Sequence, residues 1–431
     1  MGYGVRSGAV LVREIIVVSI LLSAPFILLL LAIALCPLLM AHWWESHHHK
    51  ALVAGLLSGP IAGYLLLQGQ PGWTHLQHLL TEYAEFIVLL GALYIISGGI
   101  ALRGDLQATP RVNVCFLCLG ALLASLMGTT GASMLLIRPL LQTNAERRYV
   151  AHTVVFFIFL VSNIGGCLTP IGDPPLFLGY LRGVPFTWTL SLWPAWLAMI
   201  VLLLAVYGLW DRRLYARETP EALLQDRTHL EPLRLYGRRN LLFLALVIAA
   251  VALAPFPWRP LLMLAAVAGS LICNVPSARQ ANHFTYAPII EIAVLFLGIF
   301  VTMSPVLELL SHHGASLGAN TPMRLFWMTG MLSAFLDNAP TYVTFFEAAR
   351  AQASPLSPGP LVAGVPELWL QAISLGAVYM GACSYIGNGP NFMVKAIAEE
   401  AGIVMPSFFG YMAYSTTILL PLFLGLTLVL F

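Results

Sequence analysis

Ile171-Gly172-Asp173-Pro174-Pro175-Leu176-Phe177 returns 215 residues later as Ile386-Gly387-Asn388-Gly389-Pro390-Asn391-Phe392. Each stretch follows a strongly apolar run and sets glycine and proline where a helix would have to continue, so each marks a break inside a membrane-length segment. Two further matches flank them in the same order. Glu85-Phe86-Ile87-Val88-Leu89-Leu90-Gly91 resembles the stretch from Glu291 to Gly298 at an offset of 206, and Leu122 to Arg138 lies over Met331 to Glu347 at an offset of 209. Similar elements in a fixed order predict two related membrane halves, 1–210 and 241–431, joined by 211–240.

Composition names the solvent. Of 431 residues, 59% are hydrophobic and only 9% charged, at a mean hydropathy of +0.84, whereas a water-soluble fold carries roughly a quarter charged residues. Lipid is therefore the expected surround. A net charge of +2 with no long Lys/Arg run excludes a nucleic-acid partner. The cysteines, Cys36, Cys115, Cys118, Cys167, Cys273 and Cys383, are scattered through apolar stretches and read as packing residues. His47-His48-His49 lacks a Cys or carboxylate at ligand spacing, so it reads as a solvated loop, and neither a resident metal nor a cofactor is expected. Arg6 and Arg13 ahead of an apolar run imitate a signal peptide, but the run, 15–40, is about twice a typical signal core, which predicts a retained first helix.

A membrane span needs roughly 17 to 25 apolar residues. Spans are expected near 15–40, 51–67, 83–101, 149–169 and 188–210, and again near 241–255, 260–276, 285–306, 369–386 and 408–431. Between the third and fourth span of each series an apolar segment is interrupted, by Gly128-Thr129-Thr130-Gly131-Ala132-Ser133 in one half and Asp337-Asn338-Ala339-Pro340-Thr341 in the other. Each reads as a re-entrant hairpin, so the fold class is all-α and integral to the membrane, with five spans and one hairpin per half. The seven arginines of 211–240 set that linker in the cytoplasm, and the pattern then leaves about fourteen basic residues inside against six outside. An odd number of spans per half inverts the second half. Both termini and the segment near Gly314 are then expected on the outer side of a multi-pass protein of a bacterial-type inner membrane.

Breaking a helix frees carbonyls and amides that hydrocarbon cannot satisfy. They must face protein or a wet cavity, where carbonyls can hold a cation and helix N-termini an anion. Ser162-Asn163-Ile164-Gly165-Gly166 with Ile171 to Pro175 forms one such break, and Ser384 to Asn391 the other. Candidate ion or substrate ligands are therefore Thr129, Thr130, Ser133, Ser162, Asn163, Gly165, Asp173, Asp337, Asn338, Thr341, Ser384, Asn388 and Asn391. Asp173 and Asp337 are the acids within the breaks, and each could instead cap the half-helix that follows it. Glu85 and Glu291, at matching places in the third spans, are candidate proton relays or structural acids. Arg138 and His152 flank the first hairpin, and such an arginine more often snorkels than binds substrate.

At these residues the chain resembles the ion transporter superfamily, and within it the NhaD-type sodium/proton antiporters and the related citrate transporter family. The likeness is carried by Gly128 to Pro139, Ser162 to Gly166, Ile171 to Pro175, Phe335 to Tyr342 and Tyr385 to Phe392. It implies a homodimer in lipid whose transport domain, holding two hairpins and two unwound helices, moves like an elevator against a scaffold. In the dicarboxylate branch each hairpin tip resembles Ser-Asn-Thr. Here the tips read Gly128-Thr129-Thr130 and Asp337-Asn338-Ala339, and an acid at a tip suits a site that alternates between a proton and a sodium ion. The expected activity is thus sodium/proton antiport with Asp337 as the shared carrier. A sodium- or proton-coupled citrate or dicarboxylate transporter is the alternative, so the partner is a small inorganic cation or a small carboxylate. An arsenite-type efflux protein ranks third. An intramembrane enzyme is disfavoured, since no HExxH or GxSxG motif is present.

Overall fold

Proline and glycine divide the apolar runs into helices, and they do so at matching places in the two halves. The computed structural model describes residues 21–37, 39–228, 230–273, 276–313, 318–353 and 359–431. The expectations for Arg6, Arg13, the retained N-terminal segment and Gly314 lie outside the described residues. In the first half the helices are α1 (Leu21–Pro37), α2 (His47–Leu67), α3 (Gln70–Gly98), α4 (Pro110–Met127), α5 (Thr129–Thr143), α6 (Ala151–Leu160), α7 (Pro174–Leu181) and α8 (Trp193–Tyr215). In the second they are α9 (Asn240–Leu253), α10 (Trp258–Ile272), α11 (Ala287–His313), α12 (Pro322–Ser333), α13 (Asn338–Gln352), α14 (Glu367–Met380), α15 (Gly389–Glu400) and α16 (Phe408–Leu430). The order of these eight helices repeats, while the short helices Ala41–Trp44, Pro220–Thr228 and Pro276–Ala281 stand outside it.

Local chemistry repeats with them. α4 and α12 both begin with proline, whose missing N–H costs nothing in a first turn, and both are capped by a threonine: Thr109 accepts from the Val112 N–H and Thr321 from the Arg324 N–H, each at 3.3 Å. α6 and α14 each run into a short 3₁₀ turn, Ile164–Leu168 and Gly381–Cys383, before the chain breaks. Glycine is needed there because the backbone crosses itself. A Cβ on Gly172 would lie 2.1 Å from the Gly166 carbonyl oxygen, and one on Gly387 would lie 2.5 Å from that of Gly381. Gly128, with φ +80, makes the sharp reversal between α4 and α5.

Packing is reciprocal between halves. α7 packs on α13 and α15 on α5; α2 packs on α11 and α10 on α3. Two ion pairs mark the last relation: Lys50 of α2 meets Glu291 of α11, and Arg259 of α10 meets Glu85 of α3, both at 2.7 Å. The core is centred on α6, where Val154 to Val161 are fully buried. A helix that ends in exposed backbone groups is thereby enclosed by protein, as hydrocarbon requires.

The chain is a multi-pass, all-α membrane protein. Among the described residues seven helices are long and apolar enough to cross a membrane, and Leu21–Pro37, Asn240–Leu253 and Trp258–Ile272 are shorter apolar helices. The ten expected spans thus differ from the structure in length. α9 stops at Leu253, ahead of the Pro255-Phe256-Pro257 corner, α10 starts at Trp258 and stops at Ile272, and the run 369–386 stops as a helix at Met380 because Gly381 opens the break. Two boundaries are corrected. α8 runs on to Tyr215, five residues past the expected 210, so the polar linker begins inside a helix. His47-His48-His49 is the first turn of α2 and not a loop. The linker itself is docked: β1 (Ala101–Asp105) pairs antiparallel with β2 (Glu231–Tyr236), and Asp226 accepts the Ala108 N–H at 2.9 Å. A second small hairpin joins β3 (Leu361–Val362) to β4 (Val365–Pro366).

Candidate functional site

The two hairpin tips and the two breaks meet at one place, built from α5, α6, α7, α13 and α15. Asp173, just before α7, is 1% exposed. Its Oδ1 accepts from Thr129 Oγ1 and from Asn388 Nδ2, each at 3.2 Å, and its Oδ2 accepts from Asn338 Nδ2 at 2.7 Å. One carboxylate thus gathers a tip and a break of the second half and the tip of the first. These donors are all neutral. A buried carboxylate held only by neutral dipoles lacks a compensating charge, which a proton or a small cation can supply.

A second layer ties the breaks together. Asn388 Nδ2 also donates to the Ser162 carbonyl (3.0 Å) and to Asn163 Oδ1 (3.2 Å), and Asn163 Nδ2 donates to Asn391 Oδ1 (2.7 Å) and to the Ile158 carbonyl (2.8 Å). Asn391 Nδ2 closes onto the Gly381 and Ser384 carbonyls at 2.8 and 2.9 Å. Asn163 and Asn391 thus satisfy carbonyls of their own halves while bonding to each other, and Asn388 crosses to the Ser162 carbonyl of the other break. One acceptor is left over: Asn338 Oδ1 is buried without a hydrogen-bond partner, while its Nδ2 is fixed by Asp173. An oxygen with no donor beside a buried carboxylate fits a hard cation, which takes oxygen ligands.

Of the residues expected from sequence, Thr129, Ser162, Asn163, Asp173, Asn338, Asn388 and Asn391 are brought together. Ser384 supports them from behind, its hydroxyl donating to the Ala334 carbonyl and accepting from the Ile386 and Gly387 N–H groups. The others make no hydrogen bond to Asp173. Ser133 meets Ser162 hydroxyl to hydroxyl at 3.0 Å, the Gly165 carbonyl accepts from Ser125 Oγ and Trp196 Nε1, and Thr341 Oγ1 donates to the Asp337 carbonyl. Thr130 is partly exposed at the start of α5. Asp337 caps α13, its Oδ1 accepting the Ala339 N–H at 3.0 Å, whereas Asp173 makes no side-chain cap to α7. Of the two acids, Asp337 alone caps the helix that follows it. Glu85 and Glu291 are held in the cross-half ion pairs described above.

Sequence reasoning missed Gly381, where a Cβ would stand 3.1 Å from Asn163 Oδ1 and 3.7 Å from Asn338 Nδ2. Extending the 215-residue register back from Gly387 would have set it opposite Gly166. It also missed a buried charge network at the linker end. Asp211 accepts both Arg147 Nη2 (2.6 Å) and Nη1 (3.2 Å), and His152 Nε2 lies 3.0 Å from it. Glu218 accepts the Arg148 and Tyr149 N–H groups, so the network fixes the turn between α5 and α6 to α8. His152, noted only as flanking the hairpin, belongs here. Arg138 pairs with Glu400 at 3.7 Å.

Comparison with known proteins agrees with a transport role. A family model described as "Putative citrate transport" matches residues 16–431. Among curated proteins, the uncharacterized transporters Mb2703 of Mycobacterium bovis and Rv2684 of Mycobacterium tuberculosis are each 25% identical over 348 residues, covering 74% of this chain and 79% of theirs. The uncharacterized transporter Rv2685 of Mycobacterium tuberculosis is 24% identical over the same share.

Proposed function

The chain belongs to the family described as putative citrate transport, and on that footing we propose that it is a secondary active transporter that exchanges sodium for protons at Asp173. The observation that carries this reading is the buried carboxylate with three neutral donors and an idle Asn338 Oδ1 beside it. Proton and sodium would compete for that one group. Thr129, Asn163, Asn338 and Asn388 orient it, and carbonyls of the two breaks supply further oxygens. No bond is made or broken in the cargo, and no resident cofactor is needed.

The cycle follows from the repeat. Reciprocal packing and the paired ion bridges favour two inverted halves, α1 to α8 and α9 to α16, with α4–α5 and α12–α13 as re-entrant hairpins around a shared site. The hairpins and broken helices then move as one body against α2, α3, α10 and α11, in a homodimer of the bacterial inner membrane. Impermeant labelling from outside should reach single cysteines at the β3–β4 hairpin and not in β2. Labelling of both from one side would remove the inverted arrangement.

Cation-coupled citrate transport is the second reading, favoured by the family description. Proteoliposomes carrying an internal pH dye separate the two. A sodium pulse without citrate should make the lumen alkaline, with lithium a weaker substitute and potassium inert. Proton movement that requires citrate, with none on sodium alone, would transfer the assignment to the carboxylate carrier.

A further inference from the structure

Two side-chain triads stand at opposite ends of the helices, an arginine between two glutamates at one and a glutamate beside an arginine and a histidine at the other. At the end away from the linker, Arg182, directly after α7, pairs with Glu82 of α3 at 3.1 Å and with Glu347 of α13 at 3.3 Å. Its Nη1 also donates to the Leu178 carbonyl at 3.3 Å. At the linker end Glu400, which closes α15, pairs with Arg138 of α5 at 3.7 Å and with His283, just before α11, at 3.5 Å. Arg138 and Glu347 are equivalent in the 209-residue register, and Arg182 and Glu400 both terminate the helix that follows a break. Each triad therefore ties a hairpin helix and a post-break helix to the opposing body, at α3 in one case and just ahead of α11 in the other.

The two differ in state. Arg182 is 6% exposed, with Glu82 at 14% and Glu347 at 20%, so this triad is closed around a buried guanidinium, its two carboxylates reaching out to His78 and Arg350 at 3.9 Å. Glu400 and His283 are 58% and 62% exposed, their contacts are longer, and a cavity of about 900 Å³ opens beside them, lined in part by Arg138, Gln142, Arg148 and Tyr414. The structure is thus tightly packed around Arg182 and looser around Glu400, where the cavity stops short of the buried Asp173. We propose that Arg182 is the positioning residue of the far-end gate: Glu347, on the same moving body, aims its fork, and releasing Glu82 of α3 is what lets the site face that side. Arginine suits the task because one guanidinium can serve two carboxylates, and separating a buried pair needs both partners rehydrated. The inference rests on the transporter reading, and its test is kept independent of flux.

Thr344, one turn before Glu347 on α13 and half-buried, carries a reporter cysteine, with the chain lacking that substitution as the thiol background. In intact cells, Arg182→Gln should raise labelling of Thr344→Cys by an impermeant maleimide about fivefold, the scale of a partly buried ion pair in a two-state equilibrium. Arg182→Lys should return it towards the parent rate, and Arg138→Gln should leave it unchanged. Parental labelling in a monodisperse Arg182→Gln protein overturns the gate, as does an equal rise in Arg138→Gln. If labelling rises as expected while proteoliposomes show no sodium-driven proton flux, the gate stands and the antiport reading fails.

Discussion

Asp173→Asn abolishes sodium-driven proton movement and leaves a folded, membrane-inserted protein. The asparagine has the size of the aspartate, and its Oδ1 can still accept from Thr129 and Asn388. Its new amide then faces the amide of Asn338, now 2.7 Å from Oδ2, so one donor loses its acceptor. An unmet buried donor costs roughly 1–3 kcal/mol, which lowers the melting temperature without preventing folding. Transport is another matter, because a neutral amide can neither be protonated nor balance a sodium ion. Asp337→Asn is the informative comparison. Asparagine caps a helix about as well as aspartate, so this variant should keep its melting temperature and most of its flux. The measurement is the sodium-pulse dye signal set beside thermal unfolding in detergent. Wild-type exchange by Asp173→Asn together with loss in Asp337→Asn would return the carrier role to the hairpin tip, where the sequence alone puts it.

Gly172→Ala is expected to yield little or no stable protein. Its Cβ would sit 2.1 Å from the Gly166 oxygen and 2.8 Å from the Gly166 carbonyl carbon, both backbone atoms that no side-chain rotation relieves. Overpacking of ordinary cores costs about 1–3 kcal/mol, and this contact is harsher, because the crossing strands also carry the Thr129 N–H bond to the Gly172 carbonyl at 2.9 Å. Gly387→Ala should fail in the same way against Gly381, at 2.5 Å. Gly389→Ala, with no neighbour within 4 Å, is the control that should behave like the parent. Size-exclusion profiles of fluorescent fusions read all three. A monodisperse Gly172→Ala protein with the parental melting temperature would show that the crossing is not required.

The breaks were legible because glycine and proline act locally. Gly128, Gly172, Pro174, Gly387 and Pro390 announce a turn whatever packs around them, and the hydropathy between them fixes the helical runs. The partners were not legible. Asp173-Pro174-Pro175 and Asp337-Asn338-Ala339-Pro340 both look like helix caps, the first more so, and only the meeting of halves decides that Asp337 turns to its own helix and Asp173 to Asn338 and Asn388. Asp211 illustrates the same limit. In sequence it opens a polar, arginine-rich linker, yet α8 carries it into a dry contact with Arg147 and His152, 64 and 59 residues away. Charge identity could be read from the sequence, but pairing over such separations could not.

The bridges from Lys50 to Glu291 and from Arg259 to Glu85 bear on how the chain is made. Lys50 and Glu85 leave the ribosome well before either counterpart, and at ~5–20 residues per second the wait is on the order of ten seconds. Through that interval the early helices hold two charges in or near the bilayer with nothing to neutralise them. The amino-terminal half cannot mature as a finished domain and then await its twin. Both halves complete one another in a single late event, and newly inserted helices must be kept apart from competing partners until it occurs.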